Sequence, residues 1–426
     1  MTDHATSEDT ASNGGASEAN PKPGAEGPAL TRGEASGIHA GGLHFSAEFS
    51  NELAALDAQA LRRRRRVVDS PCAPELVVDG RPMLAFCSND YLGLSSDPAL
   101  IAAAQEGARL YGLGSGASPL VCGHTTPHAA LEQRLAGFTG FERALLFSTG
   151  YLANLGTVPA FVGRGDAIFS DRLNHASLID AARLSRAELN VYPHCNLSAL
   201  AAALAASRAK RKLIVTDAVF SMDGDLAPLP ELLALTERHN AWLLVDDARG
   251  FGLLGPQGRG SAAHFRLASP RLIVMGTLGK AAGGAGAFVA GPESAVEWIL
   301  QKARTYIFST AEPALIAHAL LTAIDLIEQG DARRAHLAAR IAQLRDTFSP
   351  KRWTLLPSET AIQPLVIGGN AETMDVAGKL FERGLWVPGI RPPTVPAGSA
   401  RLRITLSAAH TEAQVARLVE ALKELE

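Results

Sequence analysis

Six short apolar runs, at 144–147, 167–169, 213–215, 242–245, 272–275 and 287–290, each end in small or polar residues and give way to a stretch of helical spacing. A strand covered on both faces reads as such an unbroken run, because neither face meets water. Strands alternating with helices confine the chain to a doubly wound α/β domain, and the spacing predicts all six as buried parallel strands. In such a sheet ligands lie beyond the carboxyl ends of the strands. Function is therefore to be sought in the residues that follow each run.

A chain of 426 residues exceeds one ordinary core. Residues 1–45 are mostly Ala, Gly, Ser, Glu, Thr and Pro, with too little apolar surface to offset the entropy of ordering, and read as a flexible low-complexity tail. Helical spacing runs over 48–66, followed by extended segments at 76–78 and 84–87. Asp97-Pro98 and Thr126-Pro127 each combine a cap with a first-turn proline, and the second helix sets Leu131, Leu135 and Phe138 on one face. A long helical region covers 313–348. Residues 361–367 and 401–406 follow, with Leu402, Ile404 and Leu406 alternating against Arg401, Arg403 and Thr405 as in a half-buried antiparallel strand. The expected organisation is a segment 46–100 joining a small domain, a large α/β domain at 101–312, and a C-terminal small α+β domain at 313–426.

Hydrophobic residues form 47% of the chain and charged residues 19%, a globular composition that excludes a fibrous or mainly disordered protein. The first 50 residues hold seven acids against Lys22 and Arg32, so within a net charge of −3 the remaining body is nearly neutral. A nucleic-acid partner would call for a strongly basic face. The uncharged, mostly apolar stretch 144–163 is broken by Gly150, Asn154, Gly156 and Pro159, so no membrane span is expected. Cys72, Cys87, Cys122 and Cys195 are scattered, without the paired spacing of a metal or redox site, which suits a reducing, cytoplasmic compartment.

The run ends carry an unusual set of groups: Ser148-Thr149-Gly150-Tyr151, Asp171 to His175, Ser221, Asp246 to Arg249, and Thr277 to Lys280. Lys280 lies in a glycine-rich turn and is one of only eight lysines among 40 basic residues. A desolvated lysine has a lowered pKa and becomes an amine nucleophile toward an aldehyde; a surface lysine in a loop is the plain alternative. Asp246 emerges from the apolar Trp242-Leu243-Leu244-Val245, where a carboxylate is costly without a cation. A protonated pyridine would supply one, whereas a helix cap or metal ligand would also account for the pair Asp246-Asp247. Gly150 and Tyr151 stand where a strand turns into a helix, a place for a phosphate. Thr277 adds a hydroxyl, and the His175 ring could stack on a flat cofactor.

Together these segments resemble the α-oxoamine synthase family of fold-type I pyridoxal-phosphate (PLP) transferases. The likeness runs from about Leu61 to near the C-terminus. It rests on Ser88-Asn89-Asp90-Tyr91-Leu92-Gly93-Leu94, Gly114-Ser115-Gly116, Asp171-Arg172-Leu173-Asn174-His175-Ala176-Ser177, Phe220-Ser221-Met222-Asp223-Gly224-Asp225, Asp246-Asp247-Ala248 and Thr277 through Lys280. The resemblance implies that Lys280 bonds the cofactor aldehyde, Asp246 pairs with the pyridine nitrogen, and His175 covers the ring and helps hold the amino-acid carboxylate. It makes Gly150 and Tyr151 a cofactor cradle, sets Ser221 beside the phenolic oxygen, and puts Thr277 near the phosphate. Asn89 and Arg403 are similar to residues that meet the amino-acid carboxylate, and Arg62 and Thr394 to residues that contact the acyl substrate. The rest of the run Arg62 to Arg66 reads as a solvated basic face.

Ile390-Arg391-Pro392-Pro393-Thr394-Val395-Pro396 is similar to the biotin-pathway branch, implying decarboxylative condensation of L-alanine with a pimeloyl thioester, carried by coenzyme A or an acyl carrier protein. Glycine or serine with another acyl-CoA is the alternative within the family. A homodimer is implied, with residues around Ser309 and Thr310 reaching the partner's phosphate. One departure stands out. The family pattern Asp-Asp-Ala-His-Gly is here Asp246-Asp247-Ala248-Arg249-Gly250. Arginine can also donate a hydrogen bond to the cofactor's phenolic oxygen, but it is longer and permanently charged. Retained cofactor binding with reduced turnover is expected, with a catalytically silent PLP-binding protein as its extreme.

Overall fold

The computed structural model describes residues 43–426, with side chains from Phe49 onward. The tail expected over 1–45 lies outside the described residues except for its last three, which open a helix at Leu43–Ala58. Residues 54–426 form one compact unit. Its strands in chain order are β1 (Glu75–Val78), β2 (Arg81–Ala85), β3 (Arg143–Phe147), β4 (Ala167–Asp171), β5 (Glu188–Tyr192), β6 (Lys212–Asp217), β7 (Trp242–Asp246), β8 (Leu272–Thr277), β9 (Ala287–Gly291), β10 (Thr354–Leu355), β11 (Ile362–Gly368), β12 (Leu385–Trp386), β13 (Gly389–Ile390) and β14 (Ala400–Thr405).

The large sheet has the order β3-β9-β8-β7-β6-β4-β5. All six apolar runs are strands in it, and β8, β7, β6, β4 and β5 pair in parallel. β9 corrects the all-parallel expectation, since it runs antiparallel to both β3 and β8. Only residues 278–286 separate it from β8, too few for a crossover, so the chain can only turn back. The sequence reading also missed β5. This edge strand leaves Leu189 and Val191 exposed and shows no apolar run.

The expected caps form. Asp97 accepts a hydrogen bond from Ala99 N (2.9 Å) at the head of helix Pro98–Tyr111, and a capping box at Thr125 opens Thr126–Thr139, which buries Leu131, Leu135 and Phe138. The long helical region divides into Ala314–Glu328 and Asp331–Thr347 at Gln329-Gly330. The helix expected to Arg66 ends at Ala58. Ala60 takes a positive φ of 53° and Leu61 N folds back to Leu56 O (2.8 Å), so the arginine run continues as irregular chain.

Two smaller sheets complete the unit. β1, β2 and β12 form one, with β12 parallel to β2. β10, β11, β14 and β13 form an antiparallel sheet. β14 was expected to be half-buried, yet Arg401 is only 5% exposed. Its guanidinium pairs with Asp223 and donates to Met222 O (3.1 Å), so the polar face of the strand covers the turn after β6 instead of meeting water. One apolar cluster runs from Leu131, Leu135 and Phe288 through Leu320 and Ile324 to Leu402 and Leu418, joining the large sheet to the antiparallel one.

Across the large sheet, Asp217 lies opposite Asp246 and Asp246 opposite Met275, so the carboxyl ends of β6, β7 and β8 are level. The turn after β8 closes with Gly283 N donating to Lys280 O (2.9 Å). Gly283 has φ 69°, and a Cβ there would stand 2.5 Å from Leu94 C and from Ser95 N. This glycine lets the lysine turn sit directly on the backbone of residues 94–95. Gly283→Ala is expected to destabilise the protein by more than about 2 kcal/mol, adding a backbone collision to the ~1–2 kcal/mol of a left-handed side-chain residue. Urea unfolding of the two proteins measures it.

Candidate active site

Each group of the site stands where an apolar strand stops. Asp246, the last residue of β7, is 4% exposed. Its Oδ1 accepts from Ala248 N (3.1 Å) and its Oδ2 from Asn154 Nδ2 (2.8 Å). The second Asn154 N–H goes to Ser177 Oγ (2.9 Å), and that hydroxyl lies 2.8 Å from His175 Nδ1. Ser177 N also points at Nδ1 (3.3 Å). With Nδ1 taken as an acceptor, the proton of a neutral His175 is assigned to Nε2. Burial, the largest influence, pushes the His175 pKa down, which favours this neutral form; Arg249 and Lys280 push the same way, against Asp246.

Asp217 ends β6 beside Asp246 and was missed by the sequence reading. Its Oδ2 accepts from His175 N (2.7 Å), and its own N–H donates to Asn174 Oδ1 (3.1 Å). Burial first, then the neighbouring Asp246 charge, holds its pKa well above the carboxylate range. Two buried carboxyls this close cannot both ionise cheaply, which favours a protonated Asp217. Asp247 leaves the site. Its Oδ2 accepts from Ser261 N (2.8 Å), and a Cβ on Gly250 would fall 2.1 Å from its Oδ1.

Lys280 is half-buried in the turn after β8. Desolvation, reinforced by the Arg249 charge, pulls its ammonium pKa down to about 7, against the opposing pull of Asp246 and Asp217. Arg249 is 8% exposed, and its Nε has no hydrogen-bond partner among the described residues; the same holds for Arg403 Nε. Arg403 Nη1 points at Ser221 O (3.5 Å). Burial lowers the Arg403 pKa, Arg249 adds to that, and Tyr91 opposes it. The Tyr91 hydroxyl donates to Asn89 Oδ1 (3.2 Å), which sets Asn89 on the same side.

Helix Gly150–Phe161 starts beyond β3, with Thr149 Oγ1 accepting from Leu152 N (3.1 Å). The first-turn N–H groups of Gly150 and Tyr151 have no acceptor within a helix and suit an anion. Thr277 Oγ1 donates to Gly286 O (3.1 Å) across from Gly150. The Tyr151 hydroxyl donates to Asp180, and its ring stands edge-on to His175 with centroids 6.4 Å apart. Ser148 Oγ reaches Thr310 O of the same chain (3.5 Å).

The structure thus gathers Lys280, Asp246, His175, Arg249, Arg403 and Ser221, with Gly150, Tyr151 and Thr277 at the adjoining helix start. It does not bring Arg62 to Thr394. Arg62 turns to Asp57 (2.7 Å) where the chain folds back after Ala58, whereas Leu61, Arg63, Arg391 and Thr394 line a cavity of about 70 Å³. Asn154 and Ser177 were also missed. Asn154 offered only the hint of a polar residue inside an uncharged helix.

The group set fits PLP. A low-pKa amine, a buried carboxylate at the end of the neighbouring strand, a buried guanidinium with an unpartnered Nε and a helix start are the groups that an aldehyde, a pyridinium, a phenolate and a phosphate require. The family model for aminotransferases of class I and II matches residues 81–422. The chain is similar to the 8-amino-7-oxononanoate synthase of Herminiimonas arsenicoxydans, 61% identical over 88% of this chain and 98% of that one, and to that of Aromatoleum aromaticum, 63% identical over 88% and 97%. Among solved structures it is similar to serine palmitoyltransferase of S. paucimobilis with bound PLP and myriocin, with TM-score 0.84, 29% identity and coverage of 89% and 96%. The 8-amino-7-oxononanoate synthase of Francisella tularensis matches with TM-score 0.71, 33% identity and coverage of 80% and 97%. On this strand-end chemistry and this likeness along nearly the whole folded body, the chain belongs to the 8-amino-7-oxononanoate synthase family of PLP-dependent acyltransferases.

Proposed function

We propose that the protein joins L-alanine to a pimeloyl thioester, giving 8-amino-7-oxononanoate, carbon dioxide and the free thiol of coenzyme A or an acyl carrier protein. The identity of about 60% to synthases of that name carries the choice of substrates. When bound, PLP supplies an aldehyde that captures an amine and a ring that takes up the electron pair of a bond broken beside it. Lys280 would bond the aldehyde and afterwards, as a free amine with pKa about 7, take and return the alanine Cα proton. Asp246, held by Asn154 and Ala248 N, would keep the pyridine nitrogen protonated. His175, fixed by Ser177, would lie over the ring and offer Nε2–H to the alanine carboxylate. Arg403 and Asn89 would grip that carboxylate, so that the bond to be broken is oriented for cleavage. Gly150, Tyr151 and Thr277 would hold the phosphate, and Ser221 and Arg249 the phenolic oxygen.

The cavity of Leu61, Arg63 and Thr394 is the proposed berth for the acyl chain, with Arg63 in the place expected of Arg62. A homodimer is proposed as well. Leu113, Val121 and Phe308 are 83%, 77% and 69% exposed, and the bond from Ala311 N to Ala117 O (3.0 Å) draws their segments together. Among the described residues no helix is long and apolar enough to cross a membrane. The four cysteines are free thiols, which supports a cytoplasmic location.

The test of the reading is product formation from alanine and pimeloyl-CoA, with glycine and serine as competitors, together with borohydride fixation of PLP. The adduct is expected on the peptide containing Lys280 and is expected to vanish in Lys280→Ala; fixation elsewhere would overturn the assignment. In the PLP-free protein, the rate of amine labelling at Lys280 should rise through a midpoint near pH 7 and not near 10.5. Because the Arg249 charge favours the neutral lysine, Arg249→His should move that midpoint upward. The same substitution should raise the pH midpoint of the visible band of bound PLP and increase turnover; unchanged values on all counts would remove Arg249 from the site. Val121→Asp should shift the protein from dimer to monomer in sedimentation velocity.

A further inference from the structure

A second cluster of titratable groups lies beyond the ends of β4 and β6, outside the residues assigned above. His194 stands between two carboxylates. Its Nδ1 is 3.0 Å from Asp171 Oδ1 and its Nε2 is 2.7 Å from Asp225 Oδ2. Asp171, 2% exposed, also accepts from Leu173 N (2.8 Å) and Cys195 N (2.8 Å). Phe220 packs edge-on to the His194 ring, with centroids 4.4 Å apart and planes at 89°. Burial works against the charge, yet the hydrogen bonds to Asp171 and Asp225 overcome it and push the imidazole pKa up to about 12.

Asp171, His194 and Cys195 could at first suggest a metal site. The sulfur argues otherwise. Cys195 Sγ is 3.7 Å from Nδ1 and 3.6 Å from Nε2. Those near-equal distances put it over the ring face, since an in-plane position would collide with the carbon between the nitrogens. A metal bound in the ring plane could not also reach the thiolate. Both ring nitrogens are instead committed to carboxylates, which makes the group an imidazolium cross-link.

What it links is specific. Asp171 begins the turn that leads to Asn174 and His175: Asn174 N donates to Asp171 O (3.2 Å), and Asn174 Nδ2 donates to Ser170 Oγ (2.9 Å) and Val215 O (2.8 Å). Asp225 closes the turn containing Ser221, with Phe220 N donating to Asp225 O (3.0 Å) and Gly224 N to Phe220 O (2.9 Å). We propose that His194 is a positioning residue, an imidazolium bolt that fixes the His175 turn to the Ser221 turn and so sets the two protein surfaces that meet the cofactor ring. It touches neither substrate nor cofactor. The inference rests on the cofactor site proposed above and extends it to the residue that holds two of its walls in register.

The experiment compares wild-type protein with His194→Gln, which keeps one amide donor, and with Asp225→Asn, which keeps an acceptor oxygen but removes the charge. PLP is the probe. Its dissociation constant and visible circular dichroism are measured with kcat and KM for alanine, below the melting range of all three proteins. His194→Gln is expected to weaken PLP binding by about 10-fold, change the sign or amplitude of the visible dichroism, and lower kcat by up to about 100-fold with a smaller change in KM, as misplacement of a catalytic wall does. Asp225→Asn should move the same readouts by less. A His194→Gln protein that melts earlier but shows wild-type dichroism and kcat overturns the proposal. If that variant does not fold, wild-type dichroism and kcat in Asp225→Asn overturn it. Failure of the wild-type protein to take up PLP overturns the cofactor reading and this one with it, whereas normal wild-type uptake with indifferent variants overturns this one alone.

Discussion

The site depends on removing water from the ends of three neighbouring strands. Asp217 and Asp246 are carried side by side by the parallel register of β6 and β7, and Lys280 follows one strand further on. In water these groups would all ionise and ignore each other. Buried together they no longer titrate independently: burial and the neighbouring carboxylate push the Asp217 pKa up, and desolvation pulls the Lys280 ammonium down to about 7. The low-pKa amine and the proton-holding acid are both consequences of that shared desolvation.

The polar groups behind the site keep this arrangement from relaxing. Asn154 spans from Asp246 to Ser177, and Ser177 orients His175. Asp217 takes the His175 backbone N–H, so one histidine is held at its ring by one strand-end network and at its amide by another. His194 ties the flanking turns together from outside. Arg249 is the exception. It is a buried cation with an unsatisfied Nε, where burial without a partner costs several kcal/mol, and it sits within charge reach of the lysine. A cofactor oxyanion would relieve that cost, while the extra positive charge alters the balance that sets the lysine's proton affinity.

Much of this was legible in the chain. The apolar runs marked six of the seven strands of the large sheet, because full burial leaves a local trace in every residue of the run. Asp97 and Thr125 marked helix starts for an equally local reason. Lys280, Asp246, His175 and the Gly150 helix start were legible as strand-end residues of the right chemistry. β5 was not, since an exposed edge strand needs no apolar run. Nor was the role of Asn154, Ser177 or Asp217, whose polar side chains could equally have faced solvent or capped a turn.

The sequence by itself determined the class of sheet, the strand-end position of Lys280 and Asp246, and the family to which the chain belongs, because burial pattern and residue chemistry are properties of short segments. Tertiary structure decided the rest: that β9 runs backwards, that Arg63 and not Arg62 shares a cavity with Thr394, that the polar face of β14 is buried against the turn after β6, and that burial beside Asp246 pushes the Asp217 pKa up. Those outcomes depend on distances between residues remote in the chain, and desolvation and Coulomb energy are fixed only once the segments have packed.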